Sequence, residues 1–414
     1  MKRSPVTVLL IGFAAAAIAA VLHRTGVLRP IENLIGAVSP DSNGRTLGNE
    51  AIVYLSALVL GIVVAWLTVS SLQRMRIGLL VAGIAVELLI AAWICSLYGL
   101  AFQPLPSVIA IGLAFVAAER WVAFARRSRT QLAETYFADR LSNRQIRRLV
   151  EGDLPLEVHP KTHEVTVVVC DIANKYDMAE ESEPAVFAEA TEKFIRRTTD
   201  LLLEAGGYIQ AADGEGVVAI FGFPDGSGDH ADKAVRVTLD LADQFRRYRQ
   251  ENNGDGFTSC DVHLGVSSGT LIVAPLQNGH RPGLLTSGEP MELARRFCVA
   301  NRFYGSRILI GPRTFELASK NIVARPIDFL SGVNSQERHE IYEPLWLAAD
   351  AKPEHIARRD FFWNGVVLYR EKRWAEAYTE FQKARAPDHD DDPPLQLYLR
   401  RLETLALHLT TAPE

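Results

Sequence analysis

The chain has 414 residues, 44 Lys and Arg against 49 Asp and Glu, and a formal net charge of −5. So mildly acidic a balance leaves no electrostatic footprint for nucleic acid, which is not expected as a partner. The 4 cysteines (Cys95, Cys170, Cys260, Cys298) lie far apart with no Cys-x-x-Cys or Cys/His metal spacing, which argues against a disulfide framework and for structural thiols in a reduced compartment.

Four apolar stretches come first: Val6–Leu22, Ala51–Leu72, Ile77–Leu97 and Val108–Ala125. Each is near the about 20 residues that span a hydrocarbon core. Lys2 and Arg3 precede the first in the manner of a signal peptide, but no small-residue cleavage site follows, so a retained helix is expected. Lys2/Arg3, Arg74/Arg76 and Arg120/Arg126/Arg127/Arg129 alternate with the uncharged Leu97–Pro106. With basic residues inside, both termini and everything after Arg126 are expected to be cytoplasmic. Glu87, within the third stretch, reads as a protonated or interfacial carboxyl.

Arg126–Gly152 is polar, with apolar residues at Leu132, Tyr136, Phe137, Leu141, Ile146 and Leu149, the spacing of one amphipathic linker helix. Strand Glu164–Cys170 leads to helix Glu183–Ala205, the pair Gly206-Gly207 and a hairpin over Tyr208–Phe221. Helix Asp229–Asn252 follows, with Asp229 as candidate N-cap. Strands Cys260–Ser267 and Leu271–Ala274 flank Ser268-Gly269; helix Pro290–Tyr304, strand Arg307–Ile310 and helix Pro312–Ser319 complete the series. Strand, helix, two strands, helix, strand is the βαββαβ order of a ferredoxin-like domain. Arg359–Ala386 reads as two short antiparallel helices, with Gly365, Tyr369, Trp374, Ala377 and Phe381 placed as in one tetratricopeptide repeat. One repeat cannot bury its own face, so it is expected to dock on the preceding domain or on a neighbour. The acidic run Asp388–Asp392 reads as a solvated inter-helix loop.

The fold class expected is therefore α+β: a four-helix transmembrane anchor (1–125), a linker helix (126–152), a ferredoxin-like domain (153–345) and a helical-hairpin tail (346–414). One pattern in it carries chemistry. Asp171 closes the run Glu164–Cys170, and the hairpin downstream bears Asp213 and Glu215 at its tip. An acid ending a buried strand beside an acidic hairpin tip suits a divalent cation that handles phosphate.

The soluble part resembles the catalytic domain of class III adenylate/guanylate cyclases from about Val165 to about Leu330. The anchors are VTVVVCDI at Val165–Ile172, Gly206-Gly207, GEGVVAIFG at Gly214–Gly222, HADKAV at His230–Val235, HLGVSSG at His263–Gly269 and GEPMELARR at Gly288–Arg296. Tyr136–Val150 and the tail look like those of bacterial membrane cyclases with a CHASE-type extracellular sensor, although Leu22–Glu50 is too short for that sensor. The resemblance implies conversion of ATP to cyclic AMP and pyrophosphate at two Mg²⁺ or Mn²⁺ ions, shared across a homodimer or a heterodimer with another cyclase-like chain. It implies a bacterial inner membrane protein whose partners are a nucleoside triphosphate, the dimer mate and the lipid bilayer.

Residue by residue, the metal-binding aspartates of the family match Asp171, with the Ile172 carbonyl assisting, and Glu215; Asp213 is a substitute ligand. The transition-state arginine matches Arg296 and the ribose-orienting asparagine matches Glu292. The base-reading positions match Ala211 and Leu285. Where the family has a phosphate-binding Gly-Phe-Thr turn, this chain has Asn174, Lys175 and Tyr176, of which Lys175 is a candidate phosphate ligand. With these departures the expectation is a divergent cyclase with weak activity alone; the alternative is an inactive pseudo-cyclase acting as a nucleotide-binding, partner-binding or structural subunit.

Overall fold

The structure, a computed structural model, describes residues 5–37, 45–46, 50–70, 74–98, 100–101, 103–156, 159–251, 260–278, 281–333, 337–386 and 392–411. The chain divides into two compact units, Met1–Gln131 and Leu132–Glu414.

The first unit is built from α1 (Pro5–Arg24), α2 (Arg29–Ala37), α3 (Glu50–Ser70), α4 (Arg74–Leu97) and the start of α5 (Leu105–Phe137). Two-residue strands β1 (Arg45–Thr46) and β2 (Leu100–Ala101) pair in parallel. Four helices, Pro5–Arg24, Ala51–Ser70, Met75–Cys95 and Leu105–Phe137, are long and apolar enough to cross a membrane. Small residues let them approach closely: a Cβ on Gly12 of α1 would come within 2.5 Å of Ile62 on α3. Ser56 and Ser107 share a 3.0 Å hydrogen bond between α3 and α5. Glu87 lies on an exposed face of α4.

The second unit corrects the single linker helix. α5 runs on to Phe137, and α6 (Asn143–Glu151) begins only after a break. Asp139 sits there at φ 61, a left-handed backbone that no α-helix continues through. Ser142 then caps α6 in a reciprocal capping box with Gln145, and Gly152 closes it at φ 90.

The remaining elements are β3 (Lys161–Ile172), α7 (Lys175–Glu181), α8 (Pro184–Glu204), β4 (Tyr208–Asp213), β5 (Gly216–Phe221), α9 (His230–Glu251), β6 (Val262–Asn278), β7 (Arg281–Ser287), α10 (Glu289–Tyr304), β8 (Ile308–Ile310), α11 (Pro312–Ala318), β9 (Ile322–Ser331), β10 (Arg338–Leu347), α12 (Pro353–Arg370), α13 (Trp374–Lys383) and α14 (Pro393–Thr411). The sheet order is β4-β5-β3-β6-β8-β10-β9, with β7 paired to β6. Its first four strands, β3, β4, β5 and β6 in chain order, stand in the 4-1-3-2 arrangement of a ferredoxin-like βαββαβ domain, so the α+β class holds.

β3 is buried on both faces, which is why it reads as an apolar run rather than an alternation. Val168, Cys170 and Ile172 pack with Phe194 and Leu202 of α8 and Val235, Leu241 and Phe245 of α9. Val165, Val167 and Val169 pack with Phe137, Leu141 and Leu149 on one side and Ala294 and Cys298 of α10 on the other. β6 corrects the two short strands expected around Ser268-Gly269. Pairing continues through them, Ser268 opposite Thr166 and Gly269 opposite Val165. Gly269 serves a close approach instead of a turn, since a Cβ there would stand 2.9 Å from Pro290.

The tail is three helices rather than a hairpin. Phe362, Val366, Phe381, Tyr398 and Leu402 share a core with Leu293 and Phe297 of α10, so the tail docks on its own domain. Asp392, the described member of the acidic run, is no solvated loop residue; Asp388–Asp391 lie outside the described residues. It accepts from Arg325 at 2.6 and 2.7 Å and caps α14 through the Leu395 N–H. Arg325 is buried and also pairs with Glu343 at 2.7 Å. Breaking such a buried group typically costs about 3–5 kcal/mol.

A second buried polar group sets a pH response. His230 Nδ1 lies 2.7 Å from the Thr166 hydroxyl, which continues to Ser268 and Thr314. Burial holds His230 below the ordinary histidine range, against Glu164 and Asp229, which favour its charge. The folded state thus keeps a neutral ring, while the unfolded chain takes a proton near about pH 6.5. Stability is then complete above that pH and falls as pH drops toward the depressed folded value. Urea midpoints between pH 8 and 5 are expected to decline below about pH 6.5. His230→Gln is expected to reduce that slope, leaving the share of His263, which burial depresses likewise. An unchanged slope in the variant would contradict the assignment.

Candidate functional site

The end of β3 carries the site. Its register sets Asp171 opposite His263 of β6 and Cys170 opposite Val217 of β5. The hairpin between β4 and β5 therefore comes alongside Asp171. Its turn is tight: Asp213 pairs with Gly216, and the Asp213 carboxylate accepts the Glu215 N–H at 2.9 Å. Gly216 lies at φ 108, and a Cβ on it would stand 2.3 Å from the Cys170 carbonyl oxygen. Only glycine lets this turn lie so close to β3.

Two of the candidate acids converge on one cation. Lys175 Nζ stands 3.1 Å from Asp171 Oδ2 and 3.8 Å from Glu215 Oε2. The Lys175 side chain is only 14% exposed, whereas that of Glu215 is 84% exposed. Asp171 Oδ1 accepts the Ile172 N–H at 2.8 Å, so both of its oxygens are engaged. Burial raises the Asp171 carboxyl, and the bond and charge of Lys175 work against that rise. Burial would lower Lys175, but its bond to Asp171 and the charges of Asp171 and Glu215 outweigh it and raise the ammonium. Asp213 faces the turn's own backbone and joins neither acid.

The turn after β3 is likewise occupied. Ala173 N–H donates to the Asp261 carbonyl at 2.9 Å, and the Asn174 side-chain oxygen accepts the Asp261 N–H at 3.0 Å. Asn174 thus ties α7 to the start of β6. A cavity of about 1180 Å³ opens on that side, lined by Asn174, Asp261, His263, Arg302 and Arg307 but not by the acid pair.

Glu292 and Arg296 form a separate group on α10. Arg296 Nε donates to Glu292 Oε1 at 3.0 Å, and its NH1 donates to the Gly332 carbonyl at 2.7 Å. Ala211 sits in β4 opposite Val218, half-buried, and Leu285 sits in β7 opposite Ala274, 47% exposed. Neither side chain can hydrogen-bond. Cys170 and Cys298 are buried thiols, the latter pushed up to about 12 by burial, and serve as packing.

The donor chemistry of Asp171 and Glu215, two carboxylates beside the Ile172 backbone, suits a hard divalent cation. The point between them is, however, the point held by the Lys175 ammonium. Sequence reading weighed Lys175 for phosphate and missed this role. The i,i+4 spacing from Asp171 was the available signal.

The family model described as Adenylate and Guanylate cyclase catalytic domain matches residues 157–297. An uncharacterized protein of Mycobacterium tuberculosis is 24% identical over 182 residues, which are 44% of this chain and 30% of that protein. The terminal-differentiation specific adenylate cyclase of Dictyostelium discoideum is 24% identical over 208 residues, 48% of this chain and 9% of that protein. The chain thus spans less than a third of these curated relatives. The crystal structure of the adenylyl cyclase CyaB from P. aeruginosa is 22% identical, with a TM-score of 0.42, over 47% of this chain and 100% of that one. The guanylate cyclase domain of RhGC from Catenaria anguillulae, in complex with GTP, is 19% identical with a TM-score of 0.39, over 45% of this chain and 99% of that one.

Proposed function

Because residues 157–297 belong to the adenylate and guanylate cyclase catalytic domain family, we propose that this chain is a membrane-anchored signalling protein of that family that converts ATP slowly, by itself, to cyclic AMP and pyrophosphate. The observation that carries the reading is the convergence of Asp171 and Glu215 on a single cation, Lys175 Nζ, at 3.1 and 3.8 Å. Acids so placed hold Mg²⁺ or Mn²⁺ once the lysine yields, with the Ile172 carbonyl beside them. Bound there, the ions would activate the ribose hydroxyl and neutralise phosphate charge. The displaced Lys175 is then free to meet a phosphate oxygen.

Several features support low turnover. Arg296 is engaged by Glu292 and Gly332. Its pairing with Glu292 is half-exposed and worth at most about 1 kcal/mol, so Arg296 can be released toward a phosphate. Lys175 is the firmer block, being largely buried. Glu292 offers a carboxylate where an amide would orient the ribose, and Ala211 and Leu285 leave a purine edge unread.

A partner face supports dimerisation. On β6 and β7, Ile272 (51% exposed), Leu276 (42%) and Leu285 (47%) share one side of the two-stranded arm, with Ala274 opposite Leu285. Apolar residues so grouped suit a second cyclase-like domain, either another copy or a chain that supplies the missing base-reading groups. The alternative, a pseudo-cyclase that binds nucleotide or partner without turnover, is favoured by the same Lys175 contact if the lysine never yields.

Four spans with both termini on the cytoplasmic side of a bacterial inner membrane follow from the alternation of arginines with the uncharged Leu97–Pro106. The α5 helix runs on to Phe137, and Arg140 then donates to the Gln210 carbonyl at 2.8 Å, next to Ala211, which supports signalling from anchor to site. Cysteine reporters fused at the two termini are expected to label from the cytoplasmic side alone; labelling of either from outside would sink this topology.

The full chain in nanodiscs, given ATP or GTP with Mn²⁺ or Mg²⁺ and read by mass spectrometry, is expected to make cyclic AMP slowly. Asp171→Ala should abolish it. Ala211→Lys, Leu285→Asp, Glu215→Asp and Glu292→Asn together should raise it. Arg296→Ala in that background should remove about 10²–10³-fold, the worth of one preorganised donor. Turnover on the order of 1 per second by the unmodified chain would contradict the reading.

A further inference from the structure

The structure also places three metal-ligating side chains together outside the acid pair. We propose that Glu289, Glu337 and His339 bind a transition-metal dication, Zn²⁺ in the first instance, which clamps the start of α10 to β10. Each of the three offers one ligand atom, and these atoms all lie within 4.8 Å of one another.

His339 Nε2 is buried and makes no hydrogen bond. Its nearest carboxylate oxygen, Glu289 Oε1, stands 3.5 Å away. Ligands on a tetrahedral zinc stand about 3.4 Å apart, given metal–ligand distances of about 2.0–2.2 Å. The His339–Glu289 pair already has that separation, and Glu337 needs a side-chain adjustment that its exposed position permits. Gly332 backs the cradle: a Cβ there would stand 2.7 Å from His339 Nε2 and 3.1 Å from Glu337 Cβ.

One imidazole and two carboxylates select a borderline cation over Mg²⁺ or Ca²⁺, which prefer all-oxygen shells. Three protein ligands leave a fourth position for water. Glu289 is the first residue of α10, and Glu337 and His339 flank the first residue of β10. Gly332, which backs His339, is also the residue whose carbonyl accepts from Arg296. A metal here fixes Gly332 against α10 and with it the retracted position of Arg296. The metal site stands apart from the cyclase reading; only this effect on Arg296 rests on it.

The test uses the full chain in detergent, carrying no polyhistidine tag, stripped with chelator and titrated with Co²⁺. One equivalent is expected to give a visible ligand-field band that Zn²⁺ bleaches. His339→Gln should abolish the band. Glu289→Gln and Glu337→Gln, at exposed positions, should each weaken binding by at least about tenfold, since even groups behind the ligands are worth about 10–100-fold. Asp171→Asn should leave the band unchanged, which separates this site from the acid pair. Absence of a band in the wild-type chain, wild-type affinity in both glutamate variants, or loss of the band in Asp171→Asn would overturn the proposal.

Discussion

Burial of β3 on both faces is the constraint from which the candidate site follows. Its side chains alternate between the α8–α9 core and the core formed with α6 and α10, so no slip of one residue is tolerated. Pairing with β5 and β6 fixes the strand laterally. The first polar side chain after that apolar run, Asp171, must therefore emerge at one defined place. Gly216 brings the β4–β5 turn against the Cys170 carbonyl and delivers Glu215 to the same place. The acid pair is thus a consequence of core packing and of one glycine that holds the β4–β5 turn against β3.

A cation stands between those acids. Lys175 is four residues beyond Asp171, at the first turn of α7, and its side chain is mostly buried. Burial strengthens its attraction to the carboxylates relative to the exposed Glu292–Arg296 pair. The two contacts are therefore unequal: the Glu292–Arg296 pair lies at the surface, the Lys175–Asp171 pair is partly buried. On the proposed reading, activity is governed first by whether Lys175 leaves and second by what a partner domain supplies.

The sequence made the ferredoxin-like core legible because its signals are local: the apolar run Val165–Cys170, Gly206-Gly207 and the amphipathic α8 and α9. Elements beyond it were hidden for physical reasons. β9 contains Pro326 and β10 contains Pro344, residues that read as strand breakers. Here β9 is the sheet edge, and the β9–β10 ladder shifts register beside both prolines, which removes their penalty. The break at Asp139 was invisible because apolar spacing continues on both sides of it. The candidate site residues were legible as positions but not as contacts. Sequence singled out Asp171, Glu215, Arg296 and Lys175 as candidates. That the lysine would turn to the acids, and the arginine to Gly332, depends on packing between distant segments.

The central claim is that Lys175 and a divalent ion compete for the space between Asp171 and Glu215. Mn²⁺ binding to the full chain, followed by electron paramagnetic resonance with the second proposed site silenced by His339→Gln, tests it directly. Lys175→Met is expected to tighten Mn²⁺ binding by about tenfold or more, the worth of roughly 1.4 kcal/mol of relieved competition, and Asp171→Asn to remove that gain. Mn²⁺ affinity that is unchanged or weakened by Lys175→Met would contradict it.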